Sequence, residues 1–182
     1  GTSMRFDYPV KGHQDNGILD RVALIASGPV YVDDAYIKPL VSKGKIEVEY
    51  TLKNSGSRDV QAAVRGEVAG HGDGAKALDL PPAEVTVPAG GEAKIVVDAP
   101  AEKLELWWPD SPKLYDLVTT VSAGGEALDS HTARFGYREW SIDGGKFELN
   151  GVPQQFRAGL DGYGAAPGEA QAMVAAANAR RV

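Results

Sequence analysis

The chain has 182 residues and a mass of 19.2 kDa, enough for one domain with appendages and too little for a complete (β/α)₈ barrel. Apolar residues make up 43% and charged residues 24%, which places it among packed globular chains and away from disordered ones. The net charge of −6, with no Lys/Arg block, argues against a nucleic-acid partner, and no apolar run reaches the roughly eighteen residues of a membrane helix.

The absence of cysteine excludes disulfides, iron–sulfur clusters, thiolate zinc sites and a cysteine nucleophile, and leaves cytoplasm, periplasm and secretion equally open. Gly1-Thr2-Ser3-Met4 reads as a cloning remnant and stays outside the fold argument. A polar loop, Lys11 to Gly17, leads to a strand over Arg21 to Ala26 that has no obvious partners in the chain. Residues 5–27 are therefore expected to be the tail of a preceding domain.

From Val30 to Arg134 apolar residues recur with period two, and turn residues interrupt them every eight to twelve positions. The clearest strand is Lys45 to Lys53, where Ile46, Val48, Tyr50 and Leu52 face a core and the alternating charged residues face water. Asn54-Ser55-Gly56-Ser57 makes a turn, and Val60, Ala62 and Val64 continue the alternation, so a hairpin is the economical reading. His71-Gly72-Asp73-Gly74 and the Pro81-Pro82 pair bracket a loop-rich stretch in which no strand is expected. Short strands are expected at Val85 with Val87 and at Ile95 with Val97, separated by Pro88-Ala89-Gly90-Gly91, and another runs from Leu114 to Val121. Gly124-Gly125 turns the chain into a last strand ending near Phe135. About seven strands over about a hundred residues predict an immunoglobulin-like antiparallel β-sandwich over residues 28–137. Tyr115 stands where such sandwiches often carry a tyrosine whose hydroxyl bonds nearby backbone, with Leu117 at the inward position two residues on.

Beyond the sandwich, Asp143-Gly144-Gly145 and Asn150-Gly151 flank Lys146 to Leu149 and predict a three-stranded meander from about Arg138 to Arg157. Pro153 pushes its last strand toward an edge. Pro167-Gly168-Glu169 opens a short alanine-rich helix with Met173 and Val174 on one face. Residues 138–182 thus read as a meander followed by the first βα unit of a larger, truncated barrel. The strand at Arg21 to Ala26, the meander and the Met173 face should leave apolar surface exposed and favour self-association.

These motifs, in this order, resemble glycoside hydrolase family 2, the family of β-galactosidases, β-glucuronidases and β-mannosidases. Gly17-Ile18-Leu19-Asp20-Arg21-Val22 is similar to the "G-I-W-R-x-V" closing the family's sugar-binding jelly roll, with Leu19 in place of Trp. Gly28-Pro29-Val30-Tyr31-Val32-Asp33-Asp34 is similar to the start of its immunoglobulin-like domain. Trp107-Trp108-Pro109-Asp110 with Pro112 to Leu117 resembles "W-W-P-x-x-P-x-L-Y-x-L", and Arg134-Phe135-Gly136-Tyr137-Arg138-Glu139 resembles "R-F-G-F-R-E". Phe147 to Pro153 with Phe156-Arg157 is similar to the hairpin entering the catalytic barrel, with Ala158 inserted before Gly159.

The resemblance implies a parent enzyme that hydrolyses O-glycosidic bonds with retention through two barrel glutamates, which requires carboxyl groups roughly 5–5.5 Å apart. The family's acid/base Glu follows an Asn, and no Asn-Glu pair occurs in this chain. No catalytic residue is therefore assigned, no cofactor is implied, and the chain is expected to be a non-catalytic linking domain whose partners are the other domains of its own polypeptide. The resemblance implies interdomain packing for Trp107, Trp108, Tyr115, Phe135 and Tyr137, and a place near substrate in the parent enzyme for Arg157, Asp161 and Tyr163.

The alternative is an independent carbohydrate-binding or adhesion module, which would need Trp107, Trp108 and Tyr137 as an exposed aromatic platform. Asp33, Asp34 and Asp73 with His71 read as solvated loop residues rather than cation ligands, and His13, His71 and His131 lack metal-site spacing. Glu139 and Glu148 lie on neighbouring predicted strands, and ordinary surface or ion-paired roles are the stronger reading for both.

Overall fold

The computed structural model describes residues 26–155. Eight strands form two facing sheets. The first sheet contains β1 (Val30–Leu40), β2 (Lys45–Asn54) and β6 (Glu92–Pro100), in the order β1-β2-β6. The second contains β3 (Val60–Gly70), β4 (Lys76–Asp79), β5 (Ala83–Val87), β7 (Tyr115–Ala123) and β8 (Glu126–Phe135). Its order is β4-β3-β7-β8, with β5 also pairing β3. Every pairing is antiparallel, and the expected sandwich is present. A third sheet, β11-β10-β9, is built from β9 (Trp140–Asp143), β10 (Lys146–Leu149) and β11 (Val152–Pro153).

Alternation builds the core. Ile46, Val48, Tyr50 and Leu52 of β2 are fully buried, and they meet Ala62, Val64 and Val68 of β3 and Tyr115, Leu117 and Val121 of β7. Burying a Val, Leu or Ile side chain of this kind contributes about 1.5–3 kcal/mol each. Tyr50 reaches across from the first sheet, and its hydroxyl accepts a hydrogen bond from Thr119 Oγ1 at 3.3 Å. Burial pushes the Tyr50 phenol pKa up, as expected where the charged form would lose water. Gly66 makes room for this insertion, since a Cβ there would lie 2.8 Å from the Tyr50 hydroxyl oxygen.

Two expectations need correction. β2 and β3 do not form a hairpin: β2 pairs with β1 and β6, whereas β3 pairs with β4, β5 and β7. Each strand has one apolar face, and the two bury these faces against each other by lying in opposite sheets. Asn54 organises the crossing. Its buried Nδ2 donates to the carbonyls of Arg58 (2.8 Å) and Val87 (3.1 Å), and its Oδ1 accepts from the Gly56 N–H (2.9 Å). The stretch read as loop also contains β4, which is only four residues long and carries no two-residue alternation.

The glycine turns behave as expected. Gly124 (φ 59°) and Gly125 (φ 86°) join β7 to β8. Gly144 and Gly145 join β9 to β10, and Asn150 and Gly151 join β10 to β11, all with positive φ, as the tight turns that match strand twist require. The strand expected over 21–26, apart from its last residue, and the helix expected from 167 lie outside the described residues.

Candidate functional site

The residues singled out for interdomain packing gather at one end of the sandwich, where the chain passes to the meander. Tyr115 is buried, and its hydroxyl accepts a hydrogen bond from the Glu105 N–H at 2.8 Å. Its ring lies 5.8 Å from that of Phe135 at a tilt of 33°, a favourable aromatic geometry. Leu117 occupies the buried inward position two residues on. The tyrosine corner expected from the sequence is therefore formed, and it fixes the segment leading to Trp107.

Trp107 is half-buried and held from several sides. Its N–H donates to the Tyr137 carbonyl at 2.9 Å, and its own carbonyl accepts from Asn150 Nδ2 at 3.1 Å. The Arg138 guanidinium carbon lies 4.2 Å from the centre of the indole, within cation–π range. Gly136 permits this approach: a Cβ there would stand 2.8 Å from the indole Cδ1. Trp108 is held in a tight loop by reciprocal backbone bonds with Ser111, at 3.2 and 3.1 Å. Tyr137 is only 4% exposed, and burial, with the Glu139 carboxylate nearby, raises its phenol pKa. Trp107, Trp108 and Tyr137 thus do not form an open platform.

Glu139 and Asn150 complete the joint and were not singled out together by the sequence. The Asn150 Oδ1 accepts from the Glu139 N–H at 2.9 Å, while the Asn150 N–H donates to the Glu139 carbonyl at 2.8 Å. The Glu139 carboxylate accepts from the Ser42 N–H at 2.6 Å and from the Ser42 hydroxyl at 3.1 Å. Ser42 belongs to a 3₁₀ turn, Val41–Lys43, that follows β1. Glu148 instead accepts from the Ser141 hydroxyl at 3.2 Å within the meander, so the two glutamates are tied to different neighbours. The sequence marked Asn150 by its place before Gly151 and by the family-like segment Phe147 to Pro153, and neither pointed to Glu139 as its partner. Its φ of 53° is one that Asn tolerates better than most residues.

The meander is two-faced. Cross-strand pairing sets Leu149 opposite both Trp140 and Val152, and Phe147 opposite Ile142, so these five side chains share a face. Leu149 is fully buried, whereas Trp140, Ile142, Phe147 and Val152 remain 46%, 69%, 50% and 47% exposed. The polar candidates are engaged elsewhere. His71 Nδ1 lies 2.7 Å from Asp116 Oδ2, Asp33 pairs with Lys53 at 2.9 Å, and Asp73 Oδ1 accepts from the Ala75 N–H at 3.0 Å. Among the described residues no group of three or more His, Asp or Glu is placed to hold a metal ion. Arg157, Asp161 and Tyr163, expected near substrate in a parent enzyme, lie outside the described residues.

Residues 30–138 match the family model described as glycosyl hydrolases family 2. The chain is 28% identical over 161 residues to an exo-β-D-glucosaminidase of Amycolatopsis orientalis, covering 80% of this chain and 15% of that protein. It is 39% identical over 64 residues to a β-galactosidase of Bacteroides ovatus, covering 35% of this chain and 8% of that one. Among solved structures, a calcium-binding mutant of Bacteroides uniformis β-glucuronidase 2 shares the fold with a TM-score of 0.60 at 23% identity, over 72% of this chain and 17% of that one. A family 2 β-galacturonidase from Eisenbergiella tayi does so with a TM-score of 0.60 at 21% identity, over 70% of this chain and 21% of that one. The chain therefore spans less than a quarter of each of these proteins and is a fragment-sized counterpart of larger multidomain enzymes. It belongs to glycosyl hydrolases family 2.

Proposed function

We propose that this chain is the non-catalytic linking part of a retaining glycoside hydrolase, holding a preceding sugar-binding domain against a following catalytic barrel. Residues 5–27, 28–137 and 138–182 would be the end of the first domain, the linking sandwich, and the meander with the start of the barrel. The observation that carries the reading is the joint at Trp107, Glu139 and Asn150, which fixes the meander to the sandwich through hydrogen bonds from several sides. A rigid connector suits a linking role, and the apolar meander face gives the next domain something to pack on. That face also makes self-association of the separate chain an expectation, which sedimentation velocity over a wide concentration range checks.

Hydrolysis with retention would need two carboxyl groups across a scissile bond, one protonated and one ionised. Glu139 is committed to Ser42, Glu148 to Ser141, and the chain contains no Asn-Glu pair. Trp107, Trp108 and Tyr137, the rings a carbohydrate-binding module would use, are half-buried or buried, which disfavours the adhesion reading.

The test is turnover of aryl β-galactoside, glucuronide, mannoside and glucoside by the purified chain at high concentration, beside a Glu148→Gln variant prepared identically. Background rates in both are expected. Robust turnover that disappears in the variant would overturn the linking role.

A further inference from the structure

We propose that the outer face of the five-stranded sheet carries a binding site for a small carboxylate-bearing sugar, seated on Arg65. This site goes beyond the linking role and lies on residues that take no part in the joint.

The site exists because the edge of the sheet is interrupted. β4 pairs with β3 along Glu67 to Ala69, and β5 pairs with it along Val60 to Val64. Between these two stretches Leu80 turns into the core, where it is buried, and its N–H donates to the Gly66 carbonyl at 2.8 Å. Gly66 offers no side chain to oppose it, since a Cβ there would lie 2.7 Å from Leu80 Cδ1. The inward step leaves a groove of about 690 Å³ over β3 and β7, within the size range of small-molecule sites.

The lining sets the chemistry. Arg65 lies directly opposite Thr120, and Glu67 opposite Val118, across the β3–β7 pairing. Glu67 and Asp79 both pair with Lys76, at 3.3 and 2.8 Å. Arg65 is exposed and has no carboxylate partner among the described residues, so a guanidinium is the groove's one unengaged charge. A guanidinium takes a carboxylate through two parallel N–H donors. The Thr120 hydroxyl both donates and accepts, and Pro82 with Val118 gives an apolar wall for the C–H face of a pyranose. A hexuronate presents all three complements on one body. A neutral hexose lacks the carboxylate, and acetate lacks the ring.

The test is a ¹H–¹⁵N correlation titration of the full 182-residue chain with sodium D-glucuronate, and with D-glucose and sodium acetate at matched ionic strength. Glucuronate is expected to give saturable shifts centred on Arg65, Val118 and Thr120, with a dissociation constant on the order of millimolar. Glucose and acetate should each bind roughly fivefold or more weakly. Arg65→Ala should abolish the saturable shifts, and Arg65→Lys should weaken binding roughly fivefold because an ammonium cannot reproduce the fork. The same spectra show whether each variant is folded. Absence of saturable shifts with glucuronate, equal binding of glucose or of acetate, or undiminished binding in a folded Arg65→Ala chain would each overturn the proposal.

Discussion

Asn150→Gly isolates the joint from the rest of the fold. Asn150 sits at φ 53°, in the left-handed region that glycine adopts without steric cost. The substitution therefore keeps the turn and removes only the side chain. Two hydrogen bonds disappear: the one accepted from the Glu139 N–H at 2.9 Å and the one donated to the Trp107 carbonyl at 3.1 Å. Each contributes about 0.5–1.5 kcal/mol net, so the expected loss is about 1–3 kcal/mol. At roughly 3–4 °C per kcal/mol for a domain of this size, the melting temperature should fall by about 3–12 °C. Scanning calorimetry reads the loss, and amide exchange at Glu139 locates it, since that N–H loses its acceptor. Asn150→Ala should cost about 1–2 kcal/mol more, because a Cβ is disfavoured at this φ. An Asn150→Gly chain with an unchanged melting temperature and a fully protected Glu139 amide would refute the idea that this side chain holds the joint.

Tyr50→Phe removes the acceptor of the buried Thr119 hydroxyl and should cost about 1–3 kcal/mol in urea unfolding, most of it recovered when Thr119→Val is added; a double variant no better than the single one would count against a bond between the sheets. Asp116 supplies a pH dependence. The hydrogen bond with His71 lowers the Asp116 pKa below the ordinary carboxylate value, with Arg134 adding to the effect and desolvation opposing it. A lowered folded pKa contributes stability that is complete above the unfolded value of about 3.9 and is lost as pH falls through the folded one. Asp116→Asn should therefore destabilise by no more than about 1 kcal/mol at pH 6, since the pair is partly solvent-screened. The stabilities of the two chains should converge as the pH falls through and below the unfolded value; a gap that stays constant or widens on acidification would contradict this assignment.

What was legible in the sequence followed from local rules. The four inward residues of β2 and the glycine turns before β8, β10 and β11 show in a pattern only a few positions long, and the Tyr115 corner, with Leu117 two residues on, closes on Glu105 only ten positions away. The misassigned hairpin shows where local rules stop. Alternation reports that one face of β2 and one face of β3 are buried, and it is silent on whether two such strands lie side by side or face each other across a core. Asn54 carried the only clue, a polar residue at an inward position that must be satisfied when buried, and its partners at Arg58 and Val87 emerge only once the chain is folded. β4 was missed because four residues beside an interrupted edge are too few to show a period.

The joint was illegible for a related reason, and its geometry bears on the proposed linking role. The connector from sandwich to meander is Gly136-Tyr137-Arg138-Glu139, and each of these residues is engaged. Gly136 admits the Trp107 indole, the Tyr137 carbonyl accepts from the Trp107 N–H, Arg138 stacks on the indole, and Glu139 binds both Ser42 and Asn150. A hinge needs a few residues free to change φ and ψ, and this connector offers none that is free of such contacts. The bonds holding it span 97 positions, from Ser42 to Glu139, and 43 positions, from Trp107 to Asn150. Three segments that resembled the family separately, around Trp107, Tyr137 and Asn150, are thus parts of one contact set. Their common requirement is to fix the direction in which the chain leaves the sandwich, and a substitution at any of the three should loosen the same joint.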